Sequence, residues 1–447
     1  MNKQVNLFGD QDFTQGQPTI KFSQSGTQLL KETKVGEFKG IQSLENVLDW
    51  DSDIPLSTRW TIEELNQKQS PKFNPKSLKN FKIVDLFCGT GGLSLGVKRG
   101  LQAVSINSEV SFACDISEPA AEVYKFNHRP KVFLRENVQN LLESNTIDQV
   151  DGEYTYNVRD TYLIPELEAI KGNVDVFLAG PPCEGNSNLN NKTRRSDPRN
   201  ELYVLSVLIG IVLKSKIIII ENVPTVTSAK QNVVERSKLL LQRYGYDTRY
   251  SEYILAANQH LVGQTRKRHF IVAVKNPYAK TATSIDGLIF PDLPVKQIIR
   301  DKSQYNFNHA MLDVPSTLSD ENQRRIEYLH DHDIYELPDS QRPDCHRLKP
   351  HSYPSVYGRM YPNEPAPTLS TGFLSPGRGR YTHPYEKRTI TLREAARLQG
   401  FPTYYNWYPL GSEIGKTHIA RLIGDAVPPN MGMTALLLGL SNYYDDK

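Results

Sequence analysis

Apolar and polar positions change rhythm three times along this 447-residue chain. Residues 1–80 are polar, rich in Gln, Ser, Lys and Asn, and weakly periodic, which predicts a partly ordered N-terminal extension. From Phe81 onward, short apolar runs alternate with stretches of helical spacing. The pattern predicts a strand over 82–87, a glycine cluster, then a helix over 93–99. A strand over 112–114, a helix opening at Pro119 and a strand over 131–134 follow. A polar insertion, about 142–172, precedes an apolar strand over 174–179. Residues 201–213 read as a buried helix, and 217–220, four consecutive isoleucines, as the next strand. Two more strands are expected at 250–255 and 270–274. This alternation predicts an α/β fold, Rossmann-like, with a doubly wound mixed sheet in which parallel strands dominate. After about 275 the rhythm breaks, and residues 276–387, rich in Pro, His, Tyr, Asp and Arg, predict a second, smaller domain. Helical spacing returns at 392–398 and again from Pro428-Pro429 through Leu440, so 81–275 and 388–447 together form the larger domain.

Composition narrows the class. Hydrophobic residues at 38% and charged residues at 23% describe an ordinary globular protein. No apolar stretch approaches the ~20 residues needed to span a bilayer. Residues Met1 to Gln4 open no apolar signal core, so neither a membrane protein nor an exported one is expected. Cys88, Cys114, Cys183 and Cys345 show no Cys-x-x-Cys spacing, which argues against a metal site or a disulfide framework and for a reduced intracellular setting. A net charge of +3 does not announce a nucleic-acid partner. Local clusters say more: Lys192 to Arg195 with Arg199, Arg266 to Arg268, and Arg378 with Arg380. Each alone reads as a solvated surface, but basic loops around a catalytic edge suit a phosphate backbone.

The candidate chemistry sits at strand ends. Gly180-Pro181-Pro182-Cys183 follows the 174–179 strand, and two prolines can neither continue it nor start a helix, so a thiol is placed on a stiff loop. Open α/β sheets bind ligands at this carboxyl edge. Glu221 follows the isoleucine strand, and a thiol facing a carboxyl group suggests covalent catalysis assisted by an acid. Asp85-Leu86-Phe87-Cys88-Gly89-Thr90-Gly91-Gly92 joins the first strand to its helix, where glycines admit a ligand close to the backbone and the helix N-terminus favours an anion. Asp115 ends the next strand, placed to accept hydrogen bonds from a ribose. A dinucleotide would explain this loop equally well.

Read together, these segments resemble the DNA cytosine carbon-5 methyltransferases. The resemblance runs in order from about 81 to 435: Asp85 to Gly92, Gly180 to Cys183, Glu221-Asn222-Val223, Gln264 to Arg268, Arg359 with Pro367-Thr368-Leu369, Thr391 to Pro402, and Gly424 to Pro429. It implies methyl transfer from S-adenosyl-L-methionine to carbon 5 of a cytosine flipped out of double-stranded DNA. The implied catalytic set is Cys183, adding to carbon 6; Glu221, protonated and binding ring nitrogen 3 and the exocyclic amine; Arg266, contacting the base's carbonyl oxygen; and Arg268 beside it. The implied cofactor set is Asp85, Phe87, Gly89, Gly91, Gly92, Asp115, Ile116, Asn137 and Pro181. In it Phe87 and Ile116 cover the two adenine faces, Asp115 holds the ribose hydroxyls, and Asn137 accepts from the adenine amine. Cys88 and Cys114 read as packing residues.

The chain departs from the family pattern at Glu184, Asn186, Asn137 and Asp425, where a glutamine, an aromatic, an acid and an asparagine are usual. A carboxylate at Glu184 would raise the Cys183 pKa unless paired, for example by Lys192 or Arg194. The resemblance makes 276–387 the target-recognition domain, reading base edges, and implies a monomer acting at the nucleoid of a prokaryotic cytoplasm, in a restriction-modification setting. Competing readings are an RNA cytosine methyltransferase and a DNA-binding protein with impaired chemistry. Gln4-Val5-Asn6-Leu7-Phe8 resembles the peptide by which bacterial proteins dock on the replication sliding clamp, against the competing reading of a polar tail with chance similarity.

Overall fold

The structure, a computed structural model, describes residues 17–46, 48–71, 79–144, 147–150, 153–156, 158, 161–182, 198–248, 251–275, 284–299, 310–347, 355–409 and 413–443. Three N-terminal strands, β1 (Thr19–Ser25), β2 (Gln28–Val35) and β3 (Phe38–Glu45), form an antiparallel sheet. Helix α1 (Leu56–Leu65) follows. Between residues 17 and 71, the described part of the expected polar extension is therefore largely regular structure. Its alternating pattern is that of a sheet with one face in water, and Gly26 and Gly36 supply the positive φ that its two tight turns require. Ile20, Val35 and Phe38 bury its other face in the main core.

The larger domain is built on β4 (Asn80–Leu86), α2 (Gly92–Ala103), β5 (Asn107–Cys114), α3 (Glu118–His128) and β6 (Val132–Leu134). The polar insertion contains short strands β7 (Leu142–Ser144), β8 (Ile147–Val150), β9 (Glu153–Tyr156) and β10 (Thr161–Leu163), then α4 (Pro165–Glu168). β11 (Val176–Ala179), α5 (Glu201–Val212), β12 (Ile217–Asn222), α6 (Val233–Arg243), β13 (Tyr246–Asp247), β14 (Glu252–Ala256) and β15 (Lys267–Lys275) complete the alternation. The main sheet has eight strands in the order β13-β15-β12-β11-β4-β5-β6, with β14 also on β15. β12, β11, β4, β5 and β6 run parallel, and β15 is antiparallel to its neighbours, giving the mixed sheet expected. β5 begins five residues earlier than its apolar run, because pairing with β4 carries the polar stretch 107–111 into the sheet.

The isoleucine strand shows why both faces must be covered. Ile217 and Ile219 join the core under α2, α3 and the last helix, while Ile218 and Ile220 join that under α5 and α6. After Glu201, helix α5 is apolar on nearly every side and buried from Leu202 to Val212, as its sequence demands.

The smaller region has α7 (Val295–Ile298), α8 (Asp320–Asp331) and α9 (Asp344–Arg347), and among the described residues it contributes only isolated bridges to any sheet. Cation stacking and arginine ion pairs to exposed acids take the place of strand pairing. Arg359 and Arg380 lie over the rings of Tyr335 and Tyr361, at 4.8 and 4.6 Å, and Arg359 pairs with Asp333. Helices α10 (Leu392–Leu398), α11 (Lys416–Asp425) and α12 (Pro429–Asn442) end the chain. A third apolar cluster joins Leu293, Ile298 and Phe373 to α10 and α11, so the smaller region packs on these helices. Thr391 and Glu394 form a reciprocal cap at the start of α10, and Glu394 also takes both Arg388 nitrogens at 2.7 and 2.8 Å.

Helices α2 and α12 approach until backbone meets backbone. Gly92, Gly96 and Gly100, four apart on one face of α2, lie against Val427, Pro429, Met433 and Leu436. A Cβ on Gly96 would overlap the Pro429 carbonyl and stand 2.8 Å from the Met433 nitrogen. Gly96→Ala should therefore destabilise the protein by about 1–3 kcal/mol despite the better helix propensity of alanine. Urea titration followed by circular dichroism checks this, and an unchanged or higher midpoint would refute the close approach.

Candidate active site

A cavity of about 540 Å³ opens at the carboxyl ends of β4, β5, β11 and β12. The loop from Asp85 to Gly92 forms its floor. Phe87 lines it with φ at +52°, an uncommon conformation for a bulky residue and one that the surrounding fold must hold in place. Gly91 caps α2 at φ +85°, where a Cβ would run into the His128 ring. Gly89 and Gly92 line the cavity, while Gly91 lies behind them.

Beneath this floor sits a buried polar network. Asp85 accepts hydrogen bonds from Ser94 Oγ at 2.7 Å and from the Tyr124 hydroxyl at 3.2 Å. Burial pushes its carboxyl up to about 7, against the pull of those two donors. Tyr405 donates to the Thr90 carbonyl and meets His128 Nε2 at 3.0 Å, fastening the glycine loop from below. Asp115 accepts from the Gly89 and Ser117 amides, each at 2.8 Å, and burial raises its pKa as well. Ile116 projects beside it, 70% exposed, an isoleucine left in solvent between two cavity-lining residues. Asn137 does not line the cavity. Its side-chain oxygen accepts from the Gln139 amide and caps the turn at 138–141, so the acceptor expected for an adenine amine already has a local donor.

Glu221, at the end of β12, forms another wall, opposite Gly180. Burial raises its pKa, and Arg268 and then Arg266 oppose that rise. Arg268 Nε lies 2.8 Å from Glu221 Oε1. Arg266 is 3% exposed, and its Nη1 donates to the Leu369 and Gly424 carbonyls at 3.1 and 2.9 Å. Of the two arginines, Arg268 makes the direct ion pair with Glu221, and Arg266 joins three distant segments. Asn222 Nδ2 donates to the Pro181 carbonyl at 3.2 Å, fastening the two-proline loop to the neighbouring strand. Cys183 follows that loop and lies outside the described residues, as do Glu184, Asn186, Lys192 and Arg194. Cys88 and Cys114 are buried thiols with pKa values raised by burial, consistent with packing.

One side of this cavity is built from residues absent from the expected site, although Asp425, Ala426 and Val427 lie in the segment Gly424 to Pro429 that carries part of the resemblance. His418, Arg421, Leu422 and Asp425, all on α11, line it together with Ala426 and Val427. Their spacing of three, four and seven residues is one helical face, and that periodicity was the available signal.

The buried Asp85 dictates a pH dependence. Its folded pKa lies above that of an unfolded aspartate, near 3.9, so between these values the folded state holds the extra proton. Stability from this group is greatest below about pH 4, falls as pH rises, and is fully lost above about 7. Asp85→Asn should remove that fall, on the order of 2 kcal/mol between pH 5.5 and 7.5. Urea midpoints of both proteins at the two pH values test this; parallel shifts would refute it.

Comparison with known proteins gives the family and the fold. The family model for C-5 cytosine-specific DNA methylases matches residues 81–436. Type II methyltransferase M1.BsuMI of Bacillus subtilis is 40% identical over 435 residues, covering 96% of each chain. Type II methylase M.HgiDII of Herpetosiphon aurantiacus is 29% identical over 360 residues, covering 78% of this chain and 92% of the relative. Among solved structures, the Entamoeba histolytica methyltransferase EhMeth shares the fold with a TM-score of 0.52 at 15% identity, covering 81% of this chain and 98% of that one. With the family model spanning most of its length, the chain belongs to the C-5 cytosine-specific DNA methylases and is a DNA (cytosine-5) methyltransferase.

Proposed function

We propose that the cavity binds S-adenosylmethionine and that Cys183 and Glu221 activate a cytosine flipped out of double-stranded DNA against its wall. The observation that carries this reading is the position of Glu221: buried, paired with Arg268, and lining the same cavity as the glycine loop. The residues fit the cofactor. Asp115 offers a carboxylate to the ribose hydroxyls, Phe87 and the exposed Ile116 suit an adenine, and the open space over Gly89 admits the chain between them. The bound cofactor supplies an electrophilic methyl group.

The protein's own groups would make the base reactive. Cytosine carbon 5 is a poor nucleophile, and addition of the Cys183 thiolate to carbon 6 pushes electron density onto it. Glu221 in its protonated form donates to ring nitrogen 3 as that density develops; burial favours this form and the two arginines oppose it. Arg268 is the better candidate for the base's carbonyl oxygen, because Arg266 is engaged with Leu369 and Gly424. After methyl transfer, loss of the carbon 5 proton expels Cys183 and restores aromaticity.

Residues 276–387 are proposed to read the DNA sequence, with exposed Arg378 among the groups available to phosphates. The type II relatives favour a companion restriction nuclease and a place in a prokaryotic cytoplasm. A sliding-clamp contact through Gln4 to Phe8 would be a separate property of a segment outside the described residues.

Cys183→Ala should abolish transfer of tritiated methyl groups to duplex DNA and covalent trapping on a 5-fluorocytosine duplex. Glu221→Gln should lower kcat by about 10²–10⁴-fold while leaving cofactor affinity within about 3-fold. Methylation of transfer RNA alone, or a trapped adduct without Cys183, would overturn the reading.

A further inference from the structure

The N-terminal sheet and α1 lie ahead of the 81–436 stretch that marks the family, yet the end of α1 is fastened to the segment supporting the cavity floor. Leu65 is the last residue of α1, so its carbonyl has no partner within the helix. It accepts instead from the Thr403 amide at 2.8 Å, the Thr403 hydroxyl at 2.9 Å and Arg397 Nη1 at 3.3 Å. Arg397 Nη2 donates to Asn66 Oδ1 at 2.9 Å, which sets a buried guanidinium at the negative end of the helix. The Tyr404 amide donates to the Gln67 carbonyl at 3.2 Å. On the sheet side, Lys31 Nζ of β2 lies 3.6 Å from Glu64 Oε1 and 4.9 Å from the centre of the Trp60 ring, so sheet and helix hold together. The residues after Tyr404 attach the other way. Tyr405 holds the Thr90 carbonyl and meets His128, and Asn406 exchanges two hydrogen bonds with Asn127 of α3, at 2.8 and 2.9 Å. Phe401, just before, lies against Gly92.

We propose that α1 is a positioning element for the cofactor loop and that Thr403 is the positioning residue joining them, acting through Tyr405 on Thr90. This rests on reading the cavity as the cofactor site. The loop carries positive φ at Phe87, Gly89 and Gly91, and a backbone of that kind keeps one shape only where its surroundings over-determine it. Tyr405 is one such constraint, and its own place is set two residues earlier by the carbonyl of Leu65. Without the Thr403 hydroxyl, Leu65 loses a donor and Arg397 Nη1 an acceptor, and the 403–405 segment is freer to shift together with Thr90. The N-terminal unit thereby acts on cofactor affinity without lining the cavity.

Calorimetric titration of the full chain with S-adenosylhomocysteine tests this. Thr403→Val, which keeps the shape and removes the hydroxyl, should weaken binding about 3–30-fold, and Asn66→Ala at least about 3-fold. Thr403→Ser, which retains a hydroxyl, should stay within about 2-fold of the wild-type chain. Stoichiometry should not change, because a variant that is merely less stable loses competent sites and keeps its affinity. With genomic duplex DNA as methyl acceptor, KM for S-adenosylmethionine should rise with the dissociation constant while kcat stays within about 2-fold. Unchanged affinity in Thr403→Val or Asn66→Ala, equal losses in Thr403→Val and Thr403→Ser, or fewer sites at unchanged affinity overturns the inference. Failure of the wild-type chain to bind S-adenosylhomocysteine overturns the reading of the cavity itself.

Discussion

Contact between the backbones of α2 and α12 is the constraint on which the site depends. Gly92, Gly96 and Gly100 make one side of α2 flat, and the Pro428-Pro429 start of α12 lies directly on it. The residues just before that start, Asp425, Ala426 and Val427, are thereby brought over the glycine loop more than 330 positions earlier in the chain. Any side chain on Gly92 or Gly96 would push the two apart and open the cavity along its length. The same glycine loop thus serves twice, leaving room for a ligand on one side and for a helix on the other.

A second set of contacts keeps the smaller region in register with the sheet. Gln264 donates to the Leu398 carbonyl and to the Gln399 side chain, and accepts from the Leu369 amide. Gln399 donates to the carbonyls of Ile423 and Ala426, and Arg266 to those of Leu369 and Gly424. Four segments far apart in sequence are joined by side-chain donors satisfying buried carbonyls, which would otherwise be costly to leave unpaired. Several of the residues that mark the family by sequence are therefore structural joints, and the chemistry falls to few others.

The isoleucine strand, the apolar α5 and the proline loop were legible because each pattern has a single physical solution. The N-terminal sheet was not recognised, although its alternation and its two glycine turns carry the signal; polar composition masked the period. Glu221 was placed correctly at a strand end, because four isoleucines leave little doubt about what comes before it. The resemblance gives the base's carbonyl oxygen to Arg266, and nothing in the sequence sets Arg268 above it. Two residues apart, they leave the chain on the same side near the start of β15, and only the neighbours brought by Leu369 and Gly424 decide which one reaches Glu221. Asn137 shows a related effect: a turn amide competes locally for its oxygen, as asparagines at such positions invite.

The electrostatics of the cavity form a pattern that no single residue shows. Asp85, Asp115 and Glu221 all line it, and burial raises the pKa of each. Asp115 adds to the rise at Asp85, whereas at Glu221 the neighbouring charges are those of arginines and oppose it. At Asp85 two hydroxyls, those of Ser94 and Tyr124, work against burial; at Asp115 the backbone amides of Ser117, Gly89 and Ile116 do so; at Glu221 the guanidinium groups of Arg268 and Arg266 do so. One cavity thus buries three acids whose ionisation is governed by three different kinds of partner, and of the three Glu221 is the one with an arginine directly beside it.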